Sequence, residues 1–413
     1  MYYIMSRLNQ SANAVLPDYV YFDVQETNFK STTTSPPIFS INETRNNPFV
    51  ELPEKYDLSI LRFQIDTGTL PLFIPSIEPA QENINKTIYS VTIEDTAYPD
   101  LAVQQYIQWN PQDKSATIPV APSKNLSKGQ DNTTGYYNCY SYNWLCDIIY
   151  EAMTLGLTEV QKNITDAGGV DFPTTNTNPD GDANVLYPPM IYWNASTKSA
   201  IIQGDLSTYS ETLLETDGRR INVYFNAPLF NLFNSFQSVY EGYENITLGK
   251  NNRIIFADVA SINTAEVIPN YSNNKTTDAP YAYSVITLVQ EYSTQEQISP
   301  ISALVFTSNT LPINSTQTSN VIKFIDGIPF ISGTNSATEN IITDMVSSSG
   351  LYRSGITYTP SAEFRRVHLY GNRPLSNLDI NIYYRLKNGE LVPFRMSSGG
   401  SVSMKIAFLK KLE

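Results

Sequence analysis

The stretch from Leu378 to Lys411, "LDINIYYRLKNGELVPFRMSSGGSVSMKIAFLKK", carries the clearest strand code in the chain. Ile380 and Ile382 alternate with Asp379, Asn381 and Tyr383, the period of a strand with one buried face. Asn388-Gly389 is a strong two-residue hairpin turn, because these residues tolerate the positive φ that such turns require. After the flexible 397–401, Val402, Met404, Ile406 and Phe408 resume the alternation against Ser403, Lys405 and Ala407.

The same texture extends back through the chain. "KYDLSILRFQI" (55–65) alternates up to the turn signal Asp66-Thr67-Gly68, and "TIYSVTIED" (87–95) alternates again. "MIYWNASTKSAIIQG" (190–204), "RINVYFN" (220–226), "YSVITLVQEY" (283–292) and "ISALVFTS" (301–308) continue a series of short runs broken by Gly, Pro and Asn. Leu229, Leu232, Phe233 and Phe236 fit a short helical turn. Only 16% of the 413 residues are charged while Tyr (28) and Pro (25) are abundant, which favours strands and turns over exposed helices. Many short strands with hardly a helix between them predict a mainly β protein, an antiparallel sandwich or barrel.

Two regions depart from this pattern. Residues 1–48 hold few periodic apolar positions, and the paired prolines of "KSTTTSPPIFS" (30–40) predict an extended N-terminal arm. From 111 to 189 the chain turns to Asn, Asp, Gly, Thr and Pro around one helix candidate, "NWLCDIIYEAMTLGLTEVQKNI" (143–164). Leu145, Ile148, Ile149, Met153, Leu157, Val160 and Ile164 form one apolar stripe there, with Gly156 as a weak point. The expected organisation is an arm at 1–48, a β framework from 49–110 and 190–413, and a loop-rich insertion at 111–189 containing the one helix.

Catalytic chemistry finds little support. The single histidine, His368, lies in the strand pattern "FRRVHLY", where a structural role is expected. Cys139 and Cys146 have no nearby His and read as reduced, structural thiols. Asp180-Gly-Asp182-Ala-Asn184 opens like a calcium loop, but Val185 replaces the needed Gly and Ile191 the needed Glu, so a solvated loop is expected. No phosphate-cradling loop, nucleophile elbow or paired-Cys zinc pattern occurs. No residue is put forward as catalytic, cofactor-binding or metal-binding, no cofactor is expected, and the chain is read as a non-enzyme.

The formal net charge of −13 opposes a role that neutralises phosphates, and Lys410-Lys411 reads as a solvated chain end. No stretch approaches the ~18 apolar residues of a membrane span, and no secretory signal pattern opens the sequence, so intracellular synthesis is expected. The sequons at Asn42, Asn132, Asn194 and Asn314 are of a kind that an Asn- and Thr-rich chain makes by chance.

Three segments carry a family resemblance: "LPEKYDLSILRFQIDTGTLPLFIP" (52–75), "INVYFNAPLFNLFNSF" (221–236) and 363–411, which opens "EFRRVHLYGNRPLS". They resemble the minor capsid, or penton, proteins of polinton-like viruses, adintoviruses and virophages, similar in role to the adenovirus penton base. The resemblance implies a single jelly-roll antiparallel β-sandwich with an inserted domain. It further implies a homopentamer at each fivefold vertex of an icosahedral virion, made and assembled inside the host cell, with a neighbouring major capsid protein as partner. A vertex fibre is a further partner it allows, whereas direct contact with nucleic acid is not expected. The Arg-Gly-Asp loop by which many adenovirus penton bases bind receptors is absent here. In a jelly roll the last strand pairs between early ones, so the strand carrying Val402, Met404, Ile406 and Phe408 is expected in the middle of a sheet.

Two other readings stand beside this one. The first is a carbohydrate-binding β module or β-rich glycosidase, since 28 tyrosines allow sugar stacking and a pair of acids leaves no sequence signature. The second is a single-jelly-roll major capsid protein of a small virus, against which the acidic balance speaks because such shells commonly hold the genome with a basic arm.

Overall fold

The structure, a computed structural model, describes residues 16–28, 38–79, 83–123, 129–173, 186–212, 218–243, 247–257, 263–264, 284–314, 316–317, 321–325, 328–332, 338–346, 355–359 and 365–411. The chain forms two compact units, Met1–Thr69 with Ser302–Glu413, and Leu70–Ile301.

Eight strands frame the first unit: β1 (Tyr19–Thr27), β2 (Ser40–Thr44), β3 (Tyr56–Asp66), β4 (Ile301–Thr307), β5 (Ile341–Val346), β6 (Gly355–Tyr358), β7 (Asn377–Leu386) and β8 (Ser401–Lys410). They make two sheets, in the orders β1-β8-β3-β6 and β2-β7-β4-β5. Along the chain, every step but β4 to β5 changes sheet, which is the interleaving of a jelly roll. Val367–His368 adds to β3, and Leu391–Pro393 adds to β7.

β8 lies between β1 and β3, paired along its length with both. Its expected inward residues Val402, Met404, Ile406 and Phe408 are all at most 1% exposed. They stand opposite Ile65, Phe63, Ile60 and Leu58 of β3. That match needs a correction of phase, because Leu58 and Ile60 are even-numbered while Phe63 and Ile65 are odd. A bulge supplies it: Lys405 pairs Arg62 and Ile406 pairs Ile60, so Leu61 is the extra residue. The ring of Phe63 meets that of Phe306 on β4 edge-on at 5.0 Å, linking the two sheets through the core.

The hairpin at Asn388-Gly389 forms, with Gly389 at φ 88°. Its second arm is Leu391–Pro393, after which the chain leaves for the other sheet. At this corner Gly399 takes φ 77°, its N–H donates to Asn28 O (2.8 Å), and Asn28 N–H donates to Gly400 O (3.0 Å). The Asn28 side-chain amide adds donations to Met396 O and Ser397 O.

Within 1–48, where an extended arm is expected, lie the strands β1 and β2. Phe22 and Val24 bury at 3% and 7% while Tyr19, Tyr21 and Asp23 stay outside, so the alternation exists with aromatic residues on the exposed face. Burial of Phe39 and Ile41 likewise fixes β2, which pairs with β7. The paired prolines lie outside the described residues.

The second unit holds a five-stranded sheet in the order Val103–Gln108, Lys86–Asp95, Ile221–Phe225, Asn252–Ile254, Ser238–Tyr240. A four-stranded sheet runs Asn263–Thr264, Ser284–Val289, Ser199–Asp205, Met190–Asn194. Helix α1 (Tyr142–Asp166) starts at Ser141, whose hydroxyl accepts from Trp144 N–H, and it buries every residue of the predicted stripe. Gly156 is a packing residue: a Cβ there would stand 3.0 Å from Ile93 Cγ1 of the Lys86–Asp95 strand. The predicted turn at Leu229–Phe236 appears as helix α2 (Ala227–Leu232), capped by Asn226 Oδ1 accepting from Leu229 N–H.

This moves the expected boundaries. The helix expected in 111–189 packs on strands from both flanks of that segment, and all of them fall in the unit Leu70–Ile301. A 25-residue helix with one apolar stripe needs a sheet to cover, and the nearest strands supply it.

Candidate functional site

The densest group of ionisable side chains lies on the five-stranded sheet of the second unit. Glu94 Oε1 accepts from Asn222 Nδ2 (2.9 Å) and the Tyr224 hydroxyl (3.0 Å), and Glu94 Oε2 pairs with Lys250 Nζ. Next along the strand, fully buried Asp95 takes a bidentate clamp from Arg219, whose Nη2 lies 2.7 Å from Oδ2. Glu211 bridges Arg220 and Arg253, each at 2.5 Å. Arg220 Nε donates to Asn222 Oδ1 (2.9 Å), which joins the Glu94 and Glu211 groups into one network beside the Asp95–Arg219 pair.

Such an array fixes strands rather than moving protons. A general acid needs a transferable proton and an open approach for substrate, whereas Glu94, Asp95 and Glu211 accept from guanidinium, ammonium, amide or phenol groups at short range. The Tyr224 phenol is raised by burial and by the Glu94 charge, and Glu241 by burial and then by Glu94. Among the described residues, no three His, Cys, Asp or Glu side chains converge as metal ligands.

The residues singled out from sequence fall into structural positions. His368 Nδ1 sits 2.6 Å from Asp57 Oδ1, on the short strand beside β3. Lys411 is not a solvated end: its Nζ donates to Glu54 O (2.8 Å) and Leu369 O (3.2 Å) and lies 3.9 Å from the same Asp57 oxygen. Burial pushes the Cys139 thiol up to about 12 and Cys146 well above its ordinary value, so both stay protonated and unreactive. Asn42 is exposed on β2 and Asn132 is buried, so the Asn132 sequon is closed to modification in the folded state. Asp180, Asp182 and Asn184 lie outside the described residues.

Two carboxylates escaped the sequence reading. Asp379 on β7 is buried at 5% exposure and accepts from the Ser308 hydroxyl (2.5 Å), Asn309 N–H (2.8 Å), Thr310 N–H (2.9 Å) and the Thr310 hydroxyl. Burial alone would raise its pKa, but these four hydrogen bonds outweigh it and hold the group below its ordinary value. Asp147 on α1 is pushed up to about 6 by burial. A raised carboxylate favours the folded state below its unfolded pKa and forfeits that advantage as pH rises through about 6. Asp147→Asn should therefore stabilise the protein at pH 7 by about 1 kcal/mol, discounted for partial exposure, and make no difference near pH 4. Thermal melts of both proteins at the two pH values check this; an equal shift at both would contradict it.

Large apolar side chains remain on the surface instead: Tyr19 and Tyr21 on β1 and Val346 on β5 in the first unit, and Tyr240 and Tyr243 in the second. Among the described residues no helix is long and apolar enough to cross a membrane.

A jelly roll carrying an inserted unit, with Glu94, Asp95, Glu211 and Asp379 held by hydrogen bonds and ion pairs, is a frame suited to protein–protein contact. The family model for the Sputnik minor capsid protein V18/19 matches residues 20–410. The class is thus that of viral capsid proteins. The chain belongs to the Sputnik minor capsid protein V18/19 family. Uncharacterized protein V18 of Sputnik virophage is 33% identical over 38% of this chain and 90% of its own length. Structural protein V19 of the same virophage is 24% identical over 53% of this chain and 93% of its own. A chain in the cryo-EM structure of the Sputnik virophage shares the fold at TM-score 0.71 and 23% identity, covering 96% of this chain and 98% of that one. The mavirus penton protein shares it at TM-score 0.58 and 14% identity, covering 96% and 100%.

Proposed function

We propose that five copies of this chain form the penton at each fivefold vertex of an icosahedral virion, where they meet the neighbouring major capsid protein. The observation that carries this reading is the jelly-roll strand order in a chain whose family match runs from 20 to 410. Fold likeness to the mavirus penton protein supports it. The net charge of −13 agrees with a role in the shell rather than on the genome. The unit Leu70–Ile301 is the inserted domain of the penton. The protein acts by shape and contact, without catalysis.

Native mass spectrometry of the purified protein should give a five-subunit species, and a virion reconstruction should place this chain at the vertices. A monomer at every concentration, or density for the chain on the capsid faces, would overturn the proposal.

A further inference from the structure

Resting on the pentamer reading, symmetry constrains how copies meet. A patch that contacts itself generates twofold pairs, so a closed ring of five needs two different patches on each copy. Among the described residues the jelly roll has two flanks of edge strands. One is made by the edge strands β1 and β2, and the other by β6 and β5. Each is spanned by an arginine: Arg45, just after β2, stacks over Phe22 of β1 at 4.4 Å. Arg365 donates to Asp344 O and Thr343 Oγ1 of β5 while lying 6.0 Å from the Tyr358 ring of β6.

Both flanks carry what an interface uses. Along β1, whose outer edge is unpaired among the described residues, Tyr19 (60% exposed) and Tyr21 (54%) stack in parallel with centroids 6.2 Å apart. Beside them Asp23 is exposed. On the other flank Val346 is 73% exposed at the end of β5, and the exposed Arg366 supplies the opposite charge. A nine-residue edge strand left bare invites uncontrolled pairing unless something covers it. We propose that the β1–β2 flank of one copy seats against the β5–β6 flank of the next, with the tyrosine pair and Val346 at the apolar centre and Asp23 facing Arg366. Repeated five times, this one contact closes the ring.

Tyr21→Asp and Val346→Asp test the two sides separately, and both residues are exposed enough for each variant to melt as wild type does. Each should raise the concentration at which the ring half-dissociates about tenfold or more. In a Tyr21→Cys/Val346→Cys protein, a bis-maleimide cross-linker should give a ladder ending at five; Cys139 and Cys146, 0% and 1% exposed, stay silent. Tyr21→Cys alone should give no ladder and no dimer. A ring that survives either Asp substitution unweakened, or dimers from Tyr21→Cys alone, overturns this flank pairing while the pentamer stands. A wild-type monomer overturns the pentamer itself.

Discussion

A chain lacking Ser401–Glu413 should lose the jelly roll altogether. β8 is paired on both sides, so its removal strips β1 and β3 of their common neighbour at once. Burial of Val402, Met404, Ile406 and Phe408 contributes about 6–12 kcal/mol at ~1.5–3 each, comparable with the ~5–15 kcal/mol net stability of a whole domain. Hydrogen exchange read by mass spectrometry should show protection vanish across 56–66 while 86–95, in the other unit, keeps its own. A milder truncation after Lys410 should still fold but melt lower, because it removes the Lys411 donations to Glu54 O and Leu369 O. Protected amides at 56–66 in the longer truncation would show that β8 is dispensable.

Asp379→Ala should be the most damaging single substitution outside the apolar core, costing about 3–4 kcal/mol at neutral pH. One carboxylate satisfies four donors from Ser308, Asn309 and Thr310; its loss takes the acceptor from the Asn309 N–H and the buried Ser308 hydroxyl and leaves Thr310 N–H only the Ser308 hydroxyl oxygen. The pH dependence has a definite sign. The folded pKa lies below the unfolded one, so the stabilisation is complete above about pH 4 and disappears as pH falls through the folded value. Wild type and variant should therefore converge in stability toward acid, with urea midpoints measured from pH 7 to pH 3 as the readout. A constant gap over that range would mean that packing, not charge, accounts for the cost. Asp379→Asn should fall in between, since its amide keeps one acceptor but faces donors with an NH2 group.

What the sequence made legible was local. The stripe of α1 and the alternation of β8 can be read because each depends on one period, and both appear as expected. Leu61 shows how a local signal is missed: the step from Ile60 to Phe63 breaks the alternation and marks a bulge. β1 was hidden because its exposed face carries tyrosines, which look no more polar than its buried Phe22 and Val24. The boundaries of the inserted unit could not be read in the same way. The Lys86–Asp95 strand is evident as a strand, but nothing in its alternation says that it pairs with Ile221–Phe225, more than a hundred residues on, rather than with the jelly roll. The ionic network left a faint trace, charged residues such as Glu94 and Arg253 next to the strand isoleucines Ile93 and Ile254, but its partners come from segments far apart.

The central place of β8 also orders events during synthesis. Leu70–Ile301 is continuous and can bury its core while the ribosome is still adding 302–413. β1 and β3, made earlier, must wait with open edges for β8, made more than three hundred residues after β3, a long-range pairing of the slow kind. A nascent or prematurely released chain therefore has no finished sandwich and presents neither flank in native form. Folding of the jelly roll is thus tied to synthesis of β8, whereas the second unit does not depend on it.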